Sequence, residues 1–161
     1  MTAGGPEEEE RVETTDQEVA DALLGVGRAL MGITLRSVAA APVPMTVPQH
    51  RVLLLISTDG PRRVGILAAD LGVNQSSASR LVDRLVAQGL VQRMADPADG
   101  RASLVALSAR GEKALAAVHE RRLAAVLDVV AVMPTRARRE GLAFLAEAAA
   151  AMEVEEAVCV P

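Results

Sequence analysis

The stretch "LAADLGVNQSSASRLVDRLVAQG", residues 67–89, limits more than any other what this chain can fold into. A short helix is expected over 64–73, closed by Gly72 at the position that favours a left-handed backbone. Asn74 follows as the N-cap of a second helix, and Gly89 ends it. Two helices joined by about three residues that include a glycine have the helix-turn-helix spacing. Within 74–88, Ala78, Leu81, Val82, Leu85 and Val86 fall on one face at ~100° per residue. Ser76, Arg80, Asp83 and Ala87 lie opposite, with Ser79 and Arg84 at the flanks.

The outward, N-terminal end of that second helix is therefore small, polar and cationic. Such a surface suits the major groove, where a recognition helix presents its first residues to base edges. Hydroxyls permit close approach, a guanidinium pairs bidentately with guanine, and the helix N-terminus favours phosphate. Taken alone, the stretch is equally an amphipathic surface helix with a serine-rich start. Its neighbours tip the balance. Residues 90–108, "LVQRMADPADGRASLVALS", read as two β-capable runs around a turn built on "DPADG". A hairpin there, with Asp99-Gly100-Arg101 at its tip, becomes the wing of a winged helix. Arg101 can then reach a minor groove, with Asp99 holding it extended.

The flanks are helical. Val19, Leu23, Val26, Leu30 and Ile33 form a heptad seam, which fits either one buried helix or a dimer-forming helix. Three prolines break the chain in 39–48, and Thr46 with Gln49 makes a capping-box pattern for the next helix. A helix is expected from Ser108 to Val132, Pro134 breaks it, and a last one runs to about Met152. Residues 1–15 form an acidic, disordered tail and 153–161 an acidic C-terminal one. Between them lie a helix and linker over 16–45, the helix-turn-helix and hairpin over 46–108 and further helices over 109–152.

Composition supports this and removes alternatives. Half of the residues are hydrophobic, yet there is one Phe and no Tyr or Trp, so the core is aliphatic and helix-prone. The net charge of −4 argues against a nucleic-acid partner until it is divided. Residues 1–21 hold a net −7 and Glu153, Glu155 and Glu156 add −3, which leaves +6 on residues 22–152. There is no nucleophile elbow, Gly-rich phosphate loop or metal-ligand cluster, so no enzyme and no cofactor are expected. The N-terminus lacks a signal-peptide h-region and no uninterrupted apolar run approaches the ~20 residues of a membrane span, so a cytoplasmic protein is expected. A winged helix can also bind protein, without specific DNA binding; the cationic first turn at 75–80 and Arg101 argue against that use.

On "LAADLGVNQSSASRLVDRLVAQGLVQR" and "DPADGRASLVALSARGEKAL" the sequence resembles the MarR family of bacterial transcriptional regulators. The resemblance spans roughly residues 18–152 and is most specific over 67–111. It implies a mostly α winged helix-turn-helix in the order α1-α2-β1-α3-α4-β2-β3-α5-α6, whose terminal helices intertwine with those of a second subunit. It implies a homodimer on a pseudo-palindromic operator in double-stranded DNA, in most cases as a repressor. Gln75, Ser76, Ser77, Ser79 and Arg80 become candidate base or phosphate contacts, and Arg101 the minor-groove residue with Asp99 in support. Arg62, Arg63 and Arg84 are weaker phosphate candidates.

Family members often release DNA on binding a small aromatic or phenolic effector between their two parts. The corresponding walls here, 19–38, 45–56 and 115–130, are mainly aliphatic, and His50 and Arg51 are the polar candidates. His50 also reads as an ordinary helix-start residue. Oxidant-sensing relatives use a cysteine near the N-terminal helix; the lone Cys159 lies instead beside Glu155 and Glu156, which raise its pKa. The only histidines, His50 and His119, are far apart in sequence, so a zinc-sensing site is not expected.

Overall fold

The structure is a computed structural model that describes residues 14–158, with the side chains of residues 100, 101 and 153–158 outside that description. The acidic run of residues 7–10 and Cys159 therefore lie outside the described residues. The elements are α1 (Asp16–Ala39), α2 (Val47–Asp59), β1 (Arg62–Arg63), α3 (Val64–Asp70), α4 (Gln75–Ala87), β2 (Val91–Asp96), β3 (Asp99–Leu107), α5 (Ala109–Val132) and α6 (Thr135–Val158). This is the expected winged helix-turn-helix order.

Local chemistry explains most boundaries. Thr15 caps α1 reciprocally with Glu18, and Thr46 caps α2 with Gln49. Thr15, expected to close the N-terminal tail, thus belongs to the helix start. Gly72, at φ 65°, turns the chain between α3 and α4, a conformation a β-carbon would resist. Ser108 caps α5: its Oγ accepts from the Gly111 amide at 3.0 Å and donates to the Gly89 carbonyl at 2.6 Å. A β-carbon on Gly111 would stand 2.0 Å from the Leu90 carbonyl oxygen, so only glycine lets α5 begin this close to β2.

The core is aliphatic. Val52, Leu53 and Ile56 of α2 meet Leu67 of α3, Val82 and Leu85 of α4, Leu90, and Val105 of β3, all buried. Each such Leu or Val contributes about 1.5–3 kcal/mol when removed from water. Among the described residues, no buried side-chain nitrogen or oxygen lacks a partner. The sheet is antiparallel in the order β1-β3-β2, with Arg62 opposite Val105 and Val91 opposite Leu107. Only the ends of β2, Val91 and Asp96, are buried; Gln92 through Ala95 are exposed, so the hairpin stands off the body. Its turn is tighter than "DPADG" suggests: Pro97 and Ala98 alone separate the paired Asp96 and Asp99.

The outer helices are different. α1 runs along α5, yet buries only Ser37 and Val38. Leu24, Leu30 and Met31 of α1 and Leu123, Leu127 and Val132 of α5 are exposed, and no described side chain of α6 is buried. By length and composition α1 is apolar enough to cross a membrane, which a search for an unbroken apolar run misses because Arg28 and Arg36 interrupt it. α6 also continues to Val158, past the Met152 boundary. Residues 153–158, expected as tail, are helical because Glu, Ala and Val carry no stop signal and the next proline is Pro161.

Candidate nucleic-acid interface

The start of α4 is organised by one amide. Asn74 Oδ1 accepts from the Ser77 backbone at 2.9 Å and from Ser76 Oγ at 2.8 Å. The cap satisfies an orphan N–H and also fixes the first hydroxyl of the exposed turn. Arg80, one turn on, folds back so that Nη2 donates to Ser77 Oγ at 3.1 Å. These contacts are on the surface, where water and a ligand's acceptors can replace them.

Residues four apart stack on a helix, and the expected contacts separate accordingly. Gln75 and Ser79 look into a groove of about 520 Å³ between α3, α4 and the hairpin, whose far wall is Arg93, Ala102 and Ser103. Ser76 and Arg80 form the exposed crest beside it. Ser77 turns the other way, into an apolar cleft of about 380 Å³ with Leu81 and the first turn of α2. Four of the six residues named on α4 therefore share the crest and groove, and Ser77 supports them through Arg80. Arg84 is exposed one turn beyond.

The weaker candidates are placed differently. Arg62 is held by two carboxylates, Asp59 and Asp70, each at 2.8 Å. Arg63 binds Asp96 through Nε at 2.7 Å and Nη2 at 2.6 Å, with Asp99 at 3.7 Å. Both guanidiniums are thus engaged by carboxylates of their own chain, while Arg63 stays 43% exposed and lines the groove. The Ala98 amide, then Arg63, hold the Asp96 carboxyl below the ordinary carboxylate pKa. The Arg101 side chain lies outside the described residues, although its backbone belongs to β3. Sequence reasoning missed Arg93, whose Nη2 donates to Asp83 at 2.8 Å while its side chain lines the groove. That pair offsets the one acid on the outward face of α4. The signal was available in "GLVQR", which puts a cation two residues into β2.

His50 and Arg51 have different surroundings. Neighbours on a helix point ~100° apart. His50 is buried, and burial followed by the charge of Arg122 lowers its pKa. Arg51 is exposed, donates to the Asp70 carbonyl at 3.2 Å and lines the apolar cleft beside Ser77. The polar groups that do converge between α1, α2 and α5 are His119 and Arg122, which line adjoining clefts of about 330 and 240 Å³. Their spacing of three on α5 puts them on one face, a signal hidden by the aliphatic majority of 115–130. Among the described residues no three His, Cys, Asp or Glu side chains converge as metal ligands would.

Comparison with known proteins agrees with this geometry. The sequence model described as MarR family matches residues 43–102. The uncharacterized HTH-type transcriptional regulator YfiV of Bacillus subtilis (strain 168) is 30% identical over 107 residues, covering 65% of this chain and 67% of YfiV. Among solved structures, RV1404 from Mycobacterium tuberculosis is 36% identical with a TM-score of 0.75, over 84% of this chain and 92% of that one. The transcriptional regulator Tm0710 from Thermotoga maritima is 27% identical with a TM-score of 0.77, over 88% and 99% respectively.

Proposed function

The chain belongs to the MarR family of DNA-binding transcriptional regulators, and from that premise we propose that it acts as a homodimeric repressor on a pseudo-palindromic operator. The observation that carries the reading is the shared crest and groove of Gln75, Ser76, Ser79 and Arg80, walled by the hairpin. A helix ~10–12 Å across fits a major groove ~12 Å wide. In this reading the crest meets base edges, Arg84 meets phosphate, and Arg101 with Asp99 enters the flanking minor groove.

The exposed apolar residues of α1, α5 and α6 support the dimer. Val132 and Leu142 are 84% and 71% exposed, and the single aromatic, Phe144, is exposed as well. A partner copy would cover them and divide the chain into dimerisation helices, 16–45 and 109–152, and a reading unit, 46–108. A small aromatic or phenolic effector would enter between these parts, near His119 and Arg122. The protein would work in the cytoplasm.

Binding selection from a random duplex pool, followed by titration at several salt concentrations, tests the reading. A palindromic consensus should emerge, with log affinity falling linearly with log salt. Equal binding of all duplexes would sink it.

A further inference from the structure

The hairpin carries two aspartates on a surface assigned to a polyanion. Electrostatics alone disfavours them. Neutralising one acid beside DNA would tighten binding by about a factor of two before screening. Asp96, however, is 8% exposed and is the only residue of β2 besides Val91 to be buried.

The register explains how. A shift between Ala95 and Asp96 turns the last β2 side chain inward. One carboxylate then makes two kinds of bond. Its Oδ1 accepts from the Ala98 amide at 2.9 Å, which fixes the turn. Its Oδ2 accepts from Arg63 Nε at 2.7 Å and Nη2 at 2.6 Å, across 33 residues of chain. Arg63 is also the N-cap residue of α3, where its side chain makes no capping bond. The ion pair therefore joins the hairpin's turn to the start of the helix-turn-helix. Two other ties are solvent-facing: Arg93 of β2 reaches Asp83 of α4 at 2.8 Å, and Asp99 lies 3.7 Å from the same Arg63, whereas Asp96 is buried at the turn itself. β1 meets β3 only at Leu104 and Val105, well short of the turn, and residues 92–95 are exposed.

We propose that Asp96 is a positioning residue for the wing: by locking Arg63 and the Ala98 amide together, it sets the wing's angle to α4 and so its entry into DNA. The proposal rests on the reading above that the wing docks. Arg63 is on this view a strut and not a phosphate contact.

The full-length chain is titrated with the tightest duplex from the selection. Asp96→Asn should weaken binding about tenfold, against the electrostatic sign, with the salt slope unchanged. Arg63→Lys should do the same, because a lysine keeps the charge but lacks the fork. The double variant should bind no worse than either single one. In an Arg101→Ala background, Asp96→Asn should change affinity less than twofold. That last result separates wing placement from general damage to the fold.

Equal or tighter binding by Asp96→Asn overturns the proposal. So does an undiminished effect in the Arg101→Ala background. If Asp96→Asn is unfolded at the assay temperature, Arg63→Lys decides: wild-type affinity there rules the strut out. If Arg101→Ala itself binds normally, the docking wing fails as a reading and the proposal fails with it. A weakened Arg101→Ala beside a neutral Asp96→Asn removes the proposal alone.

Discussion

The winged unit and the helices around it are built from the same aliphatic residues but end in opposite conditions. Leu53, Leu67, Leu85 and Leu90 are sealed from water, whereas Leu24, Leu127, Leu142 and Leu145 face it. Composition does not cause the difference, because both regions are rich in Ala, Leu and Val. Geometry does. Short elements α2, α3 and α4 and a three-stranded sheet enclose a volume from several directions. α1, α5 and α6, each 24 residues long, pack on their own chain over only part of their length and leave apolar residues exposed along the rest. One region completes its core within a single chain. The other leaves its apolar residues in water.

The largest effect expected from that contrast comes from charging the open half. Leu142→Glu with Leu145→Glu should convert a dimer to a monomer in sedimentation equilibrium. Operator affinity should fall by ~10²-fold or more as two linked contacts become one. An unchanged oligomer would mean that α6 is not where copies meet.

Next comes an attack on the closed half. Gly111→Ala forces a β-carbon against the Leu90 backbone and should cost about 3 kcal/mol in urea unfolding, the upper range for overpacking. A loss below ~0.5 kcal/mol would show that the joint between β2 and α5 yields easily. Arg80→Ala should leave stability and assembly unchanged. It should cost ~1–3 kcal/mol of binding at the selected site and relax one base position. A selection profile identical to wild type would remove Arg80 from direct readout.

The smallest effect concerns pH. Burial and Arg122 keep His50 neutral in the folded chain. An unfolded histidine takes up a proton near pH 6.5. The stabilisation is therefore complete above about pH 6.5 and is lost as pH falls toward the lowered folded value. His50→Gln should flatten this part of the stability profile, while the separate loss from Asp96 begins only in the carboxylate range. A parallel profile for His50→Gln would place the acid sensitivity elsewhere.

What the sequence disclosed follows the range of each interaction. The caps at Thr46 and Asn74 and the turn at Gly72 depend on residues at most three apart, and all three appear in the structure. The apolar stripe of α4 was equally plain, with Ala78, Val82 and Leu85 buried. The roles of Arg62 and Arg63 were not, because Asp70 and Asp96 reach them from 8 and 33 residues away. His50 and Arg51, named as the polar candidates of a mainly aliphatic wall, point to different surroundings, because neighbours on a helix diverge: His50 is buried and Arg51 lines the cleft beside Ser77. β1 is two residues long and carries no period of its own, so only the resemblance supplied it.

Phe144 gives the molecule an unusual optical property. The chain has no Trp or Tyr, and its one aromatic ring lies 44% exposed on α6, away from the sealed core. The protein is thus nearly dark in the absorbance and emission bands used to follow most proteins. A Phe144→Trp chain would carry a single fluorophore, seated on the face assigned to a second copy. Its emission would report association against an empty background, while folding of the winged unit and occupation of the groove would need other probes.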